Sequence, residues 1–337
     1  MEERLSAAGG ELAAEVRAGV ATVTLNRPTA LNAITFEMLQ GLDVWLDRWE
    51  HDPNVRLVVL RGAGEKAFCA GGDVRTLHRH ATSGAGGHHT FFEVEYALDY
   101  RIYGYPKTIV ALLDGIVMGG GMGISQGARV RLVGPRTRMA MPETAIGLFP
   151  DVGASHFLSR CPGEVGIYLG LVGPTLNAAD AVYANLADVN VSPGDAPPGN
   201  LPALREAIDR HFALASVPAI IESLRGEKDP RFAEWAAKTV EAFAKRSPTL
   251  LAVALEQLRR GRAMDLADCF RMELNLINRC FEQGDFVEGI RALIVEKDNK
   301  PRWNPPRLED VKACDVESFF APRWTREAHP LAALGKE

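Results

Sequence analysis

TIVALLDGIVMGGG, residues Thr108–Gly121, combines the two signals from which the fold class of this chain follows. Its first part, Thr108–Val117, is mostly apolar and predicts one buried β-strand. The cluster Gly119–Gly121 follows at once. A strand followed by glycines and a helix is an arrangement that brings backbone N–H groups close to a ligand. We therefore expect an α/β core with a functional turn at this point.

A β-α-β unit precedes this stretch. Val20–Leu25 is β-branched and alternating, which predicts a strand, and Val55–Leu60 predicts a second one. Between them the apolar residues of Phe36–Trp49 recur at helical spacing. Two strands joined in this way are expected to pair in parallel through a right-handed crossover. Arg129–Gly134 predicts a further strand downstream, so the α/β pattern continues to about residue 190.

The chain changes character at the Pro/Gly-rich segment Val191–Pro202, which predicts a linker. We expect a core domain over residues 12–200 and an α-helical region over residues 201–337. The sequence does not choose between two uses of these helices, covering a ligand cleft and forming a subunit contact.

Two helices of this region have clear boundary signals. Ser247 and Pro248 predict an N-cap and a first helical residue, and Gly261 predicts the stop. Asp265 predicts the cap of the next helix, which is expected to end at Gly284.

Composition excludes several classes of protein. The 337 residues are 47% apolar and carry a net charge of −5, which argues against nucleic acid or an anionic membrane as the main partner. No apolar run approaches the ~20 residues of a membrane span. Residues 1–15 have the pattern of neither a secretory signal nor a transit peptide, so we expect a cytoplasmic protein.

Cysteine and histidine give no clear metal signal. The five cysteines are unpaired in sequence and predict reduced core thiols: Cys69, Cys161, Cys269, Cys280 and Cys314. Histidines flank a Gly-rich loop at His78, His80, His88 and His89. Because no Cys or acidic cluster completes a ligand set, we expect a solvated, mobile loop there rather than a metal site.

Two glycine-rich segments lie in the expected core, Lys66–Asp73 and Gly119–Gly121. Neither has the spacing of a phosphate loop or of a dinucleotide-binding motif. Each one alone is compatible with a tight turn after a strand. Together they could direct two backbone N–H groups at one oxygen, which is an oxyanion hole that stabilises charge developing on a carbonyl.

Two acids, Glu143 and Asp151, stand in the otherwise apolar segment MPETAIGLFPDVG, Met141–Gly153. Glu143 could follow Pro142 in the first turn of a helix, where an acid interacts favourably with the helix dipole. Asp151 could be a plain N-cap. Both could instead act on a substrate, and the residue types alone leave these interpretations open.

These motifs resemble those of the crotonase superfamily, the enoyl-CoA hydratases and isomerases. The landmarks are Leu25–Pro28, Lys66–Asp73, Gly115–Gly121 and Pro142–Glu143. The resemblance implies an α/β fold, a crotonase-type spiral of β-β-α units with an α-helical C-terminal region. It also implies an oxyanion hole for an acyl-CoA thioester, formed by the backbone N–H groups of Gly72 and Gly120.

One branch, the 3-hydroxyisobutyryl-CoA hydrolases, is the closer resemblance, and it extends over roughly residues 15–315. Its distinctive segments are Phe92–Tyr96, Ala140–Gly153, Phe157–Arg160, Gly284–Ala292 and Pro301–Trp303. The resemblance implies that Glu143 attacks the thioester or acts as a general base on water. It further implies that Asp151 binds the β-hydroxyl of the substrate and that Glu95 adds a polar contact to the acyl group.

Hydratases of this superfamily use two glutamates, the first of them three residues after the oxyanion glycine. That position is Gly123 here, which has no side chain to move a proton. The resemblance therefore favours a thioester hydrolase that converts 3-hydroxyisobutyryl-CoA to 3-hydroxyisobutyrate and CoA in valine degradation, with 3-hydroxypropionyl-CoA as a second substrate. The alternatives are an enoyl-CoA hydratase or isomerase and a non-catalytic acyl-CoA-binding protein.

The resemblance implies no metal or redox cofactor, because coenzyme A enters as part of the substrate. It also implies a homo-oligomer, a trimer or hexamer. The sequence departs from the branch at Ala184–Val189 and in the loop Ser83–His89, which leaves the preferred acyl group and the subunit contacts open.

Overall fold

The structure is a computed structural model that describes residues 2–83, 87–195 and 197–336. Part of the predicted His/Gly loop, Gly84–Gly86, lies outside these residues. The chain forms two compact units, each assembled from three segments. Unit 1 comprises Met1–Asp73, Thr90–Ala140 and Thr175–Gly199; unit 2 comprises Val74–His89, Met141–Pro174 and Asn200–Glu337. The expected domain division at residue 200 stays a prediction.

Unit 1 contains two β-sheets. The strands are β1 Glu2–Ala7, β2 Leu12–Arg17, β3 Val20–Leu25, β4 Leu57–Gly62, β5 Ala67–Cys69, β6 Thr108–Leu113, β7 Ile116–Met118, β8 Val130–Val133, β9 Arg138–Ala140 and β10 Val189–Asn190. The larger sheet has the order β1-β2-β3-β4-β6-β8-β10 and the smaller one β5-β7-β9. The pairs β1–β2 and β2–β3 are antiparallel, and the other pairs are parallel.

The helices alternate with the strands at first and then follow without strands. They are α1 Phe36–His51, α2 Val74–Ser83, α3 His88–Tyr103, α4 Gly120–Gln126, α5 Ala154–Phe157, α6 Val165–Val172, α7 Ala178–Tyr183, α8 Leu201–Phe212, α9 Val217–Arg225, α10 Ala233–Phe243, α11 Pro248–Gly261, α12 Leu266–Gln283, α13 Asp285–Ile290 and α14 Ala313–Phe320. No helix within residues 2–83, 87–195 and 197–336 has the length and apolarity needed to cross a bilayer.

The chain repeats a β-β-α order three times. Each of β4, β6 and β8 in the larger sheet is followed by a strand of the smaller sheet, β5, β7 or β9, and then by a helical segment. The third repeat ends in a 3₁₀ helix, Glu143–Ile146. The β-β-α repeat that the resemblance implied is therefore confirmed.

The stretch Thr108–Val117 was predicted as one strand, and this prediction is wrong. The chain breaks after Leu113, so that β6 joins the larger sheet and β7 the smaller one. Gly115 makes the break, with φ +73° and so little room that a Cβ there would lie 2.4 Å from the carbonyl oxygen of Lys66. Periodicity missed the corner because both strands are apolar and only two residues separate them.

The other element predictions hold with small shifts. The strand Val20–Leu25 and its parallel pairing with the next strand are confirmed. That next strand is Leu57–Gly62, two residues later than expected. The expected helix between them begins at Phe36, and the side chain of Thr35 accepts the N–H of Met38 as its N-cap.

The helix boundaries of unit 2 follow their capping residues. The side chains of Ser247 and Asp265 cap α11 and α12, and Gly284 ends α12 with φ +97°. The predicted stop at Gly261 is wrong by one residue, because Gly261 is still helical and Arg262 is the C-cap. Four of the five free thiols are buried as predicted, whereas Cys314 is exposed.

Candidate active site

The two glycine segments lie side by side in unit 1. Strand β5 pairs in parallel with β7, so both strands end at the same edge of the small sheet. Each strand then continues into one of the glycine turns. A Cβ built on Gly120 would lie 3.3 Å from the amide nitrogen of Gly72, and one built on Gly71 would lie 3.8 Å from the amide nitrogen of Gly120. The structure therefore brings together the two glycines that the resemblance implied as an oxyanion hole.

The turn at Gly72 is fixed from two sides. Ile34 pairs with Gly72 through a short β-bridge, in which the Ile34 N–H donates to Gly71 and the Asp73 N–H donates to Ile34, both at 2.9 Å. The Arg27 guanidinium lies 3.3 Å from the Asp73 carboxylate. Arg27, a landmark of the resemblance to which the sequence assigned no role, thus supports the turn next to Gly72.

Glu95, on α3, lies beside Gly120. Its carboxyl group is buried, and a Cβ on Gly120 would lie 2.5 Å from Glu95 Oε1. Burial, and to a smaller degree Glu95, raises the pKa of the Cys69 thiol to about 12. Cys69 is therefore a neutral thiol at ordinary pH and no nucleophile, in line with the core role expected for it.

Glu143 opens the 3₁₀ helix of unit 2 and is 6% exposed. Its Oε2 is buried, and no residue of the described chain offers it a hydrogen bond. Burial, and secondarily the nearby Asp151, raises the pKa of Glu143 well above its ordinary value. A buried polar atom left unsatisfied costs about 1–3 kcal/mol, and carboxyl groups perturbed in this way concentrate at functional sites.

Glu143 does lie in the first turn of a helix, whereas the N-cap interpretation of Asp151 is wrong. Pro142 is the N-cap and Glu143 the first residue of a 3₁₀ helix, not of an α-helix. The N-cap of α5 is Gly153, which has no side chain that could cap the helix. Asp151 is therefore not the N-cap of α5, although it is 4% exposed and lies near Glu143.

A third buried acid in unit 2, Glu273, was missed by the sequence reasoning. It lies on α12 and accepts hydrogen bonds from the backbone N–H groups of Gly153 and Ser155, directly after Asp151. One signal could have found it. Glu273 falls on the apolar stripe of α12, three residues after Phe270. An acid on the buried face of a helix is expected only where another polar group pairs with it.

Two further positions bear on the chemistry. Gly123 lies in the first turn of α4, and as a glycine it brings no carboxyl group to the site. Among the described residues, no cluster of three or more His, Cys, Asp or Glu side chains is arranged to hold a metal ion.

Two solved structures are similar over nearly the whole chain. One is an enoyl-CoA hydratase from Rhodobacter sphaeroides 2.4.1, with 39% identity and TM-score 0.86, covering 93% of this chain and 98% of that one. The other is a carnitinyl-CoA dehydratase from Mycobacterium thermoresistibile, with 36% identity and TM-score 0.88, covering 97% and 99%. The expected α/β crotonase-type fold is therefore confirmed.

Other relatives are named as hydrolases rather than as hydratases or dehydratases. The chain is 39% identical to the mitochondrial 3-hydroxyisobutyryl-CoA hydrolase of Gallus gallus, over 90% of this chain and 87% of the relative. It is 38% identical to the mitochondrial enzyme of Danio rerio, over 94% and 91%, and 38% identical to 3-hydroxyisobutyryl-CoA hydrolase 1 of Arabidopsis thaliana, over 93% and 92%. The expectation of a cytoplasmic protein is wrong by this comparison, because relatives are named as mitochondrial.

The family assignment rests on these likenesses and on one more. The profile of the enoyl-CoA hydratase/isomerase family matches residues 20–198 and 190–320, which together are most of the chain. The β-β-α repeat, the paired glycine turns and the matched segments thus agree, and the chain belongs to the enoyl-CoA hydratase/isomerase family.

Proposed function

We propose that this protein is an acyl-CoA thioester hydrolase that converts 3-hydroxyisobutyryl-CoA and water to 3-hydroxyisobutyrate and CoA, a step of valine degradation. Relatives named for this activity are 38–39% identical over 90% or more of the chain, which supports the proposal. The substrate brings its own coenzyme A, and no step of the proposal uses a metal or a redox group.

In this mechanism the N–H groups of Gly72 and Gly120 bind the carbonyl oxygen of the thioester. The Glu143 carboxylate attacks the carbonyl carbon, the C–S bond breaks, and the sulfur leaves with the bonding electrons and takes up a proton as CoA thiol. Water then opens the mixed anhydride and regenerates the carboxylate. The unsatisfied Oε2 of Glu143 supports this role, because a nucleophilic oxygen must be free of competing hydrogen bonds.

A second route uses the same residue differently. Glu143 acts as a general base that takes a proton from water, and the resulting hydroxide equivalent attacks the thioester. The raised pKa of Glu143 suits a base that works near neutral pH. Both routes give the same products, and both need Glu143 in its charged form.

One observation favours hydrolysis over hydration, namely the glycine at position 123. Adding water across a double bond needs a second acid at this position, and a glycine on α4 does not supply it. The two similar solved structures, named as a hydratase and a dehydratase, keep hydration as the second candidate.

We assign substrate selection to Asp151 and Glu95. Asp151 accepts a hydrogen bond from the β-hydroxyl, and Glu95 adds a polar contact to the acyl group. 3-Hydroxypropionyl-CoA, which lacks one methyl group, is a second substrate in this proposal, because such a difference is worth only ~1–3 kcal/mol in an apolar pocket. The proposal also includes a homo-oligomer, trimer or hexamer, which sedimentation would measure.

The test offers the protein 3-hydroxyisobutyryl-CoA and crotonyl-CoA and follows free thiol and the enoyl chromophore. We expect thiol from the first substrate and no chromophore loss from the second. Chromophore loss without thiol release identifies a hydratase and overturns the proposal. Binding of both thioesters with neither signal identifies a non-catalytic acyl-CoA-binding protein.

A further inference from the structure

The residue that follows Asp151 has a backbone conformation that its side chain disfavours. Val152 has φ +55° and Gly153 has φ +87°, two left-handed residues in succession. A β-branched residue in this region is a rare outlier that costs roughly 1–3 kcal/mol and persists only where surrounding contacts impose it. Something outside this segment therefore holds it in place.

Glu273 supplies the contact on the C-terminal side of Asp151. It is fully buried at the middle of α12, and each of its carboxylate oxygens takes one backbone N–H. Oε2 accepts from Gly153 at 2.7 Å and Oε1 accepts from Ser155 at 2.9 Å. These N–H groups belong to the first turn of α5, where a helix lacks internal partners, so a carboxylate from another helix replaces the missing cap.

Gln257, on α11, supplies the contact on the N-terminal side. Its buried side-chain amide donates to the carbonyl of Pro150 at 2.6 Å and to Ser155 Oγ at 2.8 Å. The backbone is therefore fixed at the residue before Asp151 by α11 and two residues after it by α12. Between these anchors Asp151 has little freedom to turn.

From these contacts we propose that Glu273 is a positioning residue that holds the Asp151 segment, Pro150–Ser155, in the conformation that selects 3-hydroxyacyl thioesters. This inference rests on the role proposed above for Asp151. Glu273 itself touches no substrate. It acts by holding two backbone N–H groups in place, which fixes the direction in which the Asp151 side chain points.

The substitution Glu273→Gln separates this role from mere packing. Glutamine keeps the size of the side chain and one accepting oxygen but replaces the other with an NH₂ group that cannot accept. One of the two N–H groups loses its partner, so the segment relaxes. Glu282→Gln is the matched control, because Glu282 lies on the same helix but is half exposed and pairs with Arg279 and Arg323.

We measure kcat/KM for 3-hydroxyisobutyryl-CoA and for isobutyryl-CoA, which lacks only the hydroxyl. Glu273→Gln is expected to lower the ratio of the two values about 10- to 100-fold, since a buried N–H group that loses its only partner is costly and the segment shifts to avoid this. Glu282→Gln is expected to leave the ratio unchanged. An equal loss on both thioesters, or an unchanged ratio, overturns the proposal.

Hydrogen exchange gives a second measurement that does not depend on turnover. In the unaltered protein we expect the amides of Gly153 and Ser155, the two that donate to Glu273, to exchange slowly, and in Glu273→Gln to exchange at least tenfold faster. Rapid exchange in the unaltered protein overturns the proposal even if the variant does not fold. If the unaltered protein releases no thiol from either thioester, the proposed function fails, whereas the exchange experiment still decides whether Glu273 holds the segment.

Discussion

At the scale of single residues, the acids stand out, because side chains of a type that is usually exposed are buried here. Sequence reasoning could find Glu143 and Asp151 because they stand in a conspicuously apolar segment. It could not decide their role, since helix starts also favour acids. In the structure Glu143 is the first residue of a 3₁₀ helix, and the N-cap of α5 is Gly153 rather than Asp151.

The first prediction concerns Glu143. Glu143→Gln should abolish thiol release from 3-hydroxyisobutyryl-CoA, because an amide neither attacks the carbonyl nor takes a proton from water. Binding of the acyl-CoA should remain, which calorimetry with the intact thioester measures. Glu234→Gln, at an exposed acid paired with Lys238, is the control. Near-normal turnover in Glu143→Gln would remove this residue from the mechanism.

At the scale of elements, the sequence predicted what each segment becomes better than where it turns. Strand Val20–Leu25 and the caps of α11 and α12 were readable because alternation and capping residues are local signals. The corner at Gly115 was not, because two short apolar strands in a row have the pattern of one long strand. The sequence also did not show which helices pack against each other, since packing depends on residues distant in sequence.

Gly261 shows this limit and gives the second prediction. It was read as a helix stop, yet a Cβ there would lie 2.1 Å from the carbonyl oxygen of Ser155, so its function is close packing of α11 against α5. Gly261→Ala should therefore destabilise the protein by about 1–3 kcal/mol, despite the better helix propensity of alanine. Urea unfolding measures the difference.

Gly226 provides the comparison for that measurement. It also stands at a helix end, with a negative φ, but a Cβ there would meet nothing closer than 3.5 Å. Gly226→Ala should change the free energy of unfolding little. Equal effects at the two glycines would show that helix-end propensity, not the contact with Ser155, decides the outcome.

At the scale of the whole molecule, buried acids make stability depend on pH. Burial raises the pKa of Glu273 to about 8, with Asp151 adding to the effect, and also raises the pKa values of Glu143 and Asp285. In the unfolded chain a glutamate titrates near its ordinary pKa of 4.5. Between pH 4.5 and about 8 the Glu273 side chain thus binds more protons in the folded state than in the unfolded state. Burial lowers the pKa of several histidines, which act in the opposite direction below about pH 6.5.

The third prediction follows from this difference. Stability should fall as the pH rises from about 6.5 to about 8, because folding then requires Glu273 either to keep a bound proton or to bury a charge. Thermal unfolding at several pH values measures the slope, and Glu273→Gln should flatten it. A melting temperature that is constant or rising across this range would contradict the prediction.

The fold class and family of the molecule were predictable because they follow from motifs that are contiguous in sequence. The composition of the two units was not. Each unit is assembled from three separate segments, and the glycine-rich stretches that end at residues 73 and 89 were predicted as turns and a loop rather than as unit boundaries. The Pro/Gly segment near residue 200 was visible, since only there does a unit boundary coincide with a change in composition.

This interleaving has a consequence for biosynthesis. Helix α6, all of whose residues are buried, packs within unit 2 against α8, α10 and α11. The ribosome makes α6 first and completes its last partner, α11, some 90 residues later, a delay of about 5–20 s at ~5–20 residues per second. During that interval an apolar helix waits without its neighbours. The nascent chain therefore leaves the apolar surface of α6 without these later partners, and synonymous changes that slow translation over residues 200–260 should increase aggregation.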